Sequence, residues 1–147
     1  MKRRRTLAAV LVGALLCAGS AYGAASGIAT GGVVFMSGGV GETERQEMTV
    51  RESEFDLTIW TALKGSCAFV VPERLWVTDA KGKAVFELEP EGPITYLHLG
   101  PGRYSVNANY AGVTVTHPVT IPAVGRRNVY FYWSSADDVG PARSNAR

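Results

Sequence analysis

The sequence YSVNANYAGVTVTHPVTI, residues 104–121, decides the fold of this chain. Apolar and polar residues alternate along both of its halves, which is the pattern of two half-buried β-strands and not of a helix. Between the halves, Gly112 can adopt the positive φ that closes a tight turn over residues 109–112. Pro118 has no backbone N–H to donate, so the second strand is expected at the edge of a sheet or at a bulge. The segment therefore predicts a β-hairpin with one edge strand.

The same alternation recurs through the rest of the chain. Strands are predicted over residues 28–36, 55–63, 75–79, 84–88, 94–99 and 128–133. Turn signals separate them, such as DAKGK at 79–83, where Asp79 can bond to the backbone and Gly82 can take the left-handed conformation. Trp60 breaks the alternation of its strand and is expected to cover an open edge or the second face. The pattern predicts an all-β fold, an Ig-like antiparallel β-sandwich of about 7–8 strands.

One segment, TERQEMTVRESE at residues 43–54, is predicted to be helical. Thr43 and Gln46 have capping-box spacing, and Glu47 and Arg51 form a favourable i,i+4 pair. Its apolar side is thin, since only Met48 and Val50 could face a core. The helix is therefore expected to be short and to lie on the surface or across an open end of the sandwich.

The first residues predict export. The basic stretch KRRR at 2–5 precedes an apolar run over residues 7–18, which has the length of a secretory h-region and is too short to span a bilayer. AYG at 21–23 supplies small side chains for cleavage after Gly23. Leu16 precedes Cys17, where a lipoprotein signal requires a small residue.

These features divide the chain into three parts. Residues 1–23 are the predicted signal peptide, residues 24–133 the β-sandwich domain, and residues 134–147, SSADDVGPARSNAR, a disordered C-terminal tail. The mature protein is expected in the periplasm, or secreted, with no membrane span.

Charge argues against nucleic acid as a partner. Of the 15 lysines and arginines, four lie at positions 2–5, so cleavage leaves 11 basic residues against 13 acidic ones. The remaining basic residues are scattered and form no stripe interleaved with aromatic residues. We therefore expect no nucleic-acid binding.

Cleavage would also remove Cys17 and leave Cys67 as the one thiol of the mature chain. No intramolecular disulfide can then form, so stability must come from packing. Cys67 is interpreted as a small buried hydrophobe; the alternative is an intermolecular disulfide or a reactive thiol.

The sequence contains no recognisable catalytic, cofactor or metal constellation. His98 and His117 lack a zinc-ligand partner at helical or loop spacing and are interpreted as ordinary strand histidines. The run ELEPEG at 87–92 could bind calcium but is better explained as a solvated strand. No Gly-x-Ser-x-Gly elbow is present. We therefore expect no enzyme activity, no cofactor and no metal.

Aromatic residues offer one alternative function, because a row of exposed rings can bind a sugar or a peptide. The candidates are Trp60, Trp76, Tyr130, Tyr132 and Trp133. Core packing for some of them and edge protection for the others is the favoured interpretation.

The segment LHLGPGRYSVNANYAGVTVTHPVTIPAVGRRNVYFYW, residues 97–133, resembles the second half of the carboxypeptidase regulatory-like domains, which are transthyretin-like sandwiches. In that family a strand ends in a Pro-Gly turn, here Pro101-Gly102, and the next begins with an aromatic residue, here Tyr104. With SGGVGETE at 37–44 and the turn at 78–82, nearly the whole mature chain is similar to small exported proteobacterial proteins that carry this domain. The resemblance implies an accessory domain without a zinc site.

The segment FMSGGVGETERQEM at 35–48 lacks the pattern of a phosphate-binding loop, and its glutamates would repel phosphate. Residues 37–48 are interpreted as an insertion that shapes the end of the sandwich where a partner docks, with the candidate residues Ser37, Gly38, Gly39, Gly41, Glu44 and Met48. The predicted function is a non-catalytic exported binding or accessory module of the cell envelope, which engages a protein or envelope partner by a strand edge or end loops. The alternatives are a carbohydrate-binding module that uses exposed aromatics and an enzyme-linked domain with an undetected site.

Overall fold

A computed structural model describes residues 24–29 and 31–135. Within these residues the chain forms nine strands in two sheets, with one α-helix, which confirms the predicted all-β sandwich. In chain order the elements are β1 (Ala25–Ile28), β2 (Val34–Gly38), α1 (Glu42–Arg51), η1 (Glu52–Glu54, a 3₁₀ turn), β3 (Leu57–Leu63), β4 (Arg74–Asp79), β5 (Ala84–Leu88), β6 (Ile94–His98), β7 (Gly102–Tyr110), β8 (Val113–Ile121) and β9 (Arg127–Trp133).

The five-stranded sheet has the order β1-β2-β6-β3-β9 and the four-stranded sheet the order β5-β4-β7-β8. No helix in the described residues is long and apolar enough to cross a membrane. The predicted signal peptide, residues 1–23, and all but residues 134 and 135 of the predicted tail lie outside the described part of the chain.

The main core fills the space between the two sheets. In β3 and β9 the odd-numbered residues point inward, because side chains alternate between the two faces of a strand. Leu57, Ile59 and Phe131 are fully buried there and meet Val77 and Val106 from the facing sheet.

Two predicted hairpins are confirmed. The β7–β8 turn has positive φ at Ala111 and Gly112, and β8 forms an edge of its sheet, as Pro118 requires. In the β4–β5 turn one carboxylate oxygen of Asp79 accepts hydrogen bonds from the backbone N–H groups of Lys81 and Lys83, at 2.9 and 3.0 Å.

Two local predictions are wrong. The single strand predicted over residues 28–36 is a hairpin of β1 and β2, because Gly31 and Gly32 both take positive φ and turn the chain. The capping box is also absent: Gly41 is the N-cap of α1 and makes no side-chain cap. Instead, the carboxylate of Glu44 accepts a hydrogen bond of 2.7 Å from the N–H of Gly39, one turn before the helix.

Helix α1 covers half of the outer face of the five-stranded sheet. Its Met48 is fully buried in a second, smaller cluster, packed with Met36, Ile94 and Tyr96, whose side chains point outward from β2 and β6. The surface position of the helix agrees with the prediction, but one methionine anchors it more deeply than its thin apolar side suggested.

Strand β9 runs parallel to β3, whereas an antiparallel sandwich was predicted. Both strands start at the same end of the sheet, where the N–H of Arg127 donates to the carbonyl of Asp56 at 2.9 Å. At the other end the N–H of Lys64 donates to the carbonyl of Trp133 at 2.7 Å. These two bonds fix the register in which Trp60 faces Tyr130 and Ala62 faces Tyr132.

We expect the substitution Met48→Ala to lower the free energy of unfolding by about 2–5 kcal/mol, since it leaves a cavity between α1 and the sheet. Val50→Ala on the same helix should change it by less than about 0.5 kcal/mol, because Val50 is 82% exposed. Urea denaturation of the two variants measures both values. Equal effects would show that Met48 does not anchor the helix.

Candidate functional site

The half of the outer face that α1 leaves open carries four aromatic residues, which we call the aromatic patch: Trp60, Phe69, Tyr130 and Tyr132. The ring of Trp60 stacks on one side with Phe69, at 6.1 Å between ring centroids, and on the other with Tyr130, at 6.3 Å. Phe69, Tyr130 and Tyr132 are each nearly half exposed. The patch is therefore an accessible apolar surface on an otherwise covered sheet.

Ala62 makes a gap in this aromatic surface. On β9 it has Tyr132 as its neighbour, and on its other side it forms an isolated bridge with Phe69. A methyl group thus lies between two rings, and a slot of about 310 Å³ opens above it. A slot of this size can accommodate one ring or one large apolar side chain.

Cys67 lies at the rim of this slot and is exposed, so its interpretation as a buried hydrophobe is wrong. The residue belongs to the turn that follows β3, where its N–H donates to the carbonyl of Leu63 and its φ is positive, at 56°. A turn that leaves the sheet directs this side chain towards solvent.

The outer edge of β9 is unpaired within the described residues, because β9 is the last strand of its sheet. The backbone groups of Arg127 and Trp133 bond to β3, and successive residues of a strand direct their N–H and C=O groups to opposite edges. It follows that Asn128, Tyr130 and Tyr132 direct their N–H and C=O groups away from β3. The same residues present their side chains on the outer face, two of them in the aromatic patch.

The other three sheet edges carry features that oppose strand addition. Strand β1 has four residues, β5 lies beside an irregular register at Val77/Thr78, and β8 contains Pro118. Strand β9 has seven residues with no proline, glycine or register shift. It is the edge best suited to receive another strand.

A second concave region lies at the end of the sandwich around Asp56 and His98, with a volume of about 470 Å³. The two carboxylate oxygens of Asp56 accept hydrogen bonds from the N–H groups of Leu99 and Gly100, at 2.9 and 2.8 Å, and the ring of His98 lies 3.4 Å away. Both oxygens of Asp56 therefore stabilise the β6–β7 turn, and we assign a structural role to this carboxylate.

The same turn is held from the other side by Tyr104, whose ring packs against the main core. Its hydroxyl donates to the carbonyls of Leu99 and Gly100, at 3.1 and 3.2 Å. Burial raises the pKa of this hydroxyl above its usual value, and the nearby carboxylates of Asp56 and Asp79 raise it further. The hydroxyl is therefore a donor throughout the neutral range.

The six residues predicted to form a docking surface lie together, but mostly inside the protein. Ser37 and Met48 are fully buried, and the hydroxyl of Ser37 bonds to Thr95 at 3.2 Å and to the N–H of Glu91 at 3.1 Å. Gly38 and Gly39 are buried and the carboxylate of Glu44 is bonded to Gly39, so only Gly41 is well exposed.

Close packing explains Gly38 and Gly39 in this segment, whereas Gly41 has open space beside it. A Cβ atom on Gly39 would lie 2.8 Å from the side chain of Ile94, and the φ of Gly39 is +89°. The docking role of the segment stays a prediction, and direct contact would involve its exposed residues, which are Val40, Gly41, Glu42, Thr43, Gln46 and Glu47.

The remaining candidates are dispersed over the two sheets. His98 is exposed beside Asp56, while His117 packs against the ring of Phe131 at 4.8 Å, so the two histidines do not meet. Glu87 is paired with Arg74 at 2.8 Å. Among the described residues, no group of three or more His, Cys, Asp or Glu side chains is arranged to hold a metal ion.

The tryptophans have three different environments. Trp133 is buried in the core, Trp76 lies under the guanidinium of Arg74 on the four-stranded sheet, and Trp60 covers the second face of its own sheet, as predicted. Sequence reasoning missed Phe69 and Ala62, because their roles depend on a bridge between residues that alternation does not pair. The resemblance to carboxypeptidase regulatory-like domains also stays a prediction, since no protein-family model, curated protein or solved structure matches this chain.

We expect Tyr104→Phe to lower the free energy of unfolding by about 1 kcal/mol at pH 7, because the partly buried carbonyls of Leu99 and Gly100 lose their donor. The folded-state pKa of Tyr104 is raised, so its contribution is complete below about pH 10 and is lost as pH rises from there through the folded-state pKa.

The stability difference between the wild type and Tyr104→Phe should therefore narrow above about pH 10. Urea denaturation from pH 7 to 11 measures it, with Tyr132→Phe as the control, since that hydroxyl is on an exposed residue. A difference independent of pH would contradict the role given to the hydroxyl.

Proposed function

We propose that this protein is a non-catalytic binding module, exported to the cell envelope, that binds an extended segment of a protein partner along the free edge of β9. The observation that carries the proposal is the outward orientation of the backbone groups of Asn128, Tyr130 and Tyr132 on a seven-residue strand without proline. Strand addition of this kind takes its affinity from backbone hydrogen bonds.

The aromatic patch supports the proposal because it borders the same edge. A strand added beside β9 would place alternate side chains next to Tyr130 and Tyr132, which are 49% and 47% exposed. Burial of these two rings would add apolar contact to the backbone bonds. Specificity would then come from the partner side chains that meet the rings.

The fold and its family resemblance favour an accessory role. The domains that this sequence resembles are accessory sandwiches, and the described part of this chain is a sandwich in which Asp56, Glu87 and His117 all have structural partners. The family membership, the export signal and the envelope location remain parts of the proposal.

Asn128→Pro tests the edge directly. Proline removes the outward N–H of residue 128, leaves the aromatic patch unchanged, and is tolerated at an edge where the N–H faces solvent. We expect capture of the partner from an envelope extract to fall about five- to tenfold. Asn128→Ala, which keeps the N–H, should capture the partner as the wild type does.

Near-UV circular dichroism establishes that both variants are folded. Equal recovery of the same partner by wild type and folded Asn128→Pro would place its binding elsewhere and contradict the proposal.

A second candidate function is carbohydrate binding, favoured by the slot over Ala62. A flat pyranose ring could enter between Phe69 and Tyr132, as apolar sugar faces do between aromatic rings. Ala62→Phe fills the gap and should abolish retardation on polysaccharide affinity gels while leaving strand addition intact. Sugar binding is wrong if no polysaccharide retards the wild type or if Ala62→Phe is retarded equally.

A further inference from the structure

We infer that the partner segment is acidic: an extended strand whose apolar centre is flanked at both ends by aspartate or glutamate. This inference rests on the proposed strand addition at β9 and names the chemistry of the strand that is added. Its basis is the distribution of charge at the two ends of β9.

Acidic residues outnumber basic ones in the described part of the chain, yet both ends of β9 are cationic. Arg126 and Arg127 are exposed at its start. Lys64 is exposed at its end, bonded through its N–H to the carbonyl of Trp133. An added strand would therefore have Arg126 and Arg127 near one end and Lys64 near the other, on the β3 side of β9.

These cations are available to a partner. In the described residues neither Arg127 nor Lys64 forms an ion pair, and Arg126 has only Glu52, at 3.4 Å between exposed or partly exposed groups. A surface pair of this kind contributes about 0–1 kcal/mol and exchanges readily. Carboxylates on a bound strand would find one unpaired cation at each end.

The same charges argue against a second copy of this chain as the occupant. Antiparallel pairing of two β9 strands about Tyr130 would bring Arg127 of one copy opposite Trp133 of the other, next to that copy's Lys64. Like charges in close cross-strand positions are destabilising, and basic residues at an edge commonly prevent self-association. A foreign acidic strand has no such conflict.

The spacing of the acidic residues follows from the strand. Arg127 and Trp133 are six positions apart on the strand, which is about 20 Å at about 3.3 Å per residue. Partner carboxylates about six positions apart would meet the two cationic ends. The residues between them would alternate, with apolar side chains beside Tyr130 and Tyr132.

Three synthetic nonapeptides test the inference. They share the centre Val-Thr-Val-Thr-Val and carry two glutamates, two glutamines or two lysines at each end. Titrated against the mature full-length protein in 20 mM salt, the glutamate peptide should bind about tenfold or more tighter than the lysine peptide, with the glutamine peptide between them. Salt at about 0.5 M should remove most of the difference.

Charge reversal locates the effect. Arg127→Glu should remove the preference for the glutamate peptide, while Arg103→Glu, an exposed arginine on β7 of the other sheet, should keep it. Asn128→Pro should weaken the binding of every peptide that binds the wild type.

The outcomes distinguish a failure of the acidic-partner inference from a failure of the proposed strand addition at β9. If the three peptides bind equally and Asn128→Pro weakens the binding of each, the partner is not selected for acidic residues. Strand addition at β9 would then still be supported. Binding of no peptide, or binding indifferent to Asn128→Pro, would overturn strand addition and with it this inference. A preference for the lysine peptide would contradict the charge argument directly.

Discussion

The parallel pairing of β9 with β3 is the contact on which the candidate site depends. It is fixed at its two ends by the Arg127–Asp56 and Lys64–Trp133 backbone bonds. This register places Tyr130 beside Trp60 and leaves Ala62 beside Tyr132, so it creates both the aromatic surface and the gap in it. It also determines which residues of β9 direct their backbone groups to solvent.

Helix α1 covers part of the five-stranded sheet and so determines where the aromatic patch can lie. The outer face of this sheet carries large apolar side chains on several strands, and apolar area exposed on this scale is unfavourable unless something covers it. Helix α1 covers the part formed by Met36, Ile94 and Tyr96 with a single methionine, Met48. The rings next to β9 remain open. The insertion between β2 and β3 therefore acts as a cover for half of a face, and its border with the aromatic patch is the guanidinium of Arg45, 5.6 Å from the ring centre of Phe69.

Much of the fold could be predicted from the sequence, because strand identity is a local property. Alternation located seven of the eight predicted strands closely, and turn chemistry at Asp79 and Gly112 located two hairpins. Strand partners are not local. Nothing in VYFYW shows that it pairs with residues 57–63 in parallel, so the edge and its orientation could not be derived. The interpretation of Cys67 as buried was wrong for the same reason, because its exposure depends on a turn whose conformation is not a local property of the sequence.

Some residues of the candidate site could be predicted from the sequence, but their arrangement could not. Trp60, Tyr130 and Tyr132 were recognised as aromatic candidates, but their separation from Trp76 and Trp133 depends on which face each strand turns to the core. The docking role was predicted from the composition of the glycine segment 37–41, whereas Gly38 and Gly39 are needed because the chain packs there against Ala24 and Ile94. Residues that look unusual in sequence can thus serve packing, while a regular strand such as β9 leaves the more useful surface.

Residue-resolved amide hydrogen exchange on β9 tests the central claim most directly. In the free protein the N–H groups of Val129, Phe131 and Trp133 should exchange slowly, because they face β3, and those of Asn128, Tyr130 and Tyr132 should exchange fast. Addition of the glutamate-flanked peptide should slow the second set and leave the first unchanged. Slow exchange of all six N–H groups in the free protein, or no change in the second set at a saturating peptide concentration, would contradict strand addition at this edge.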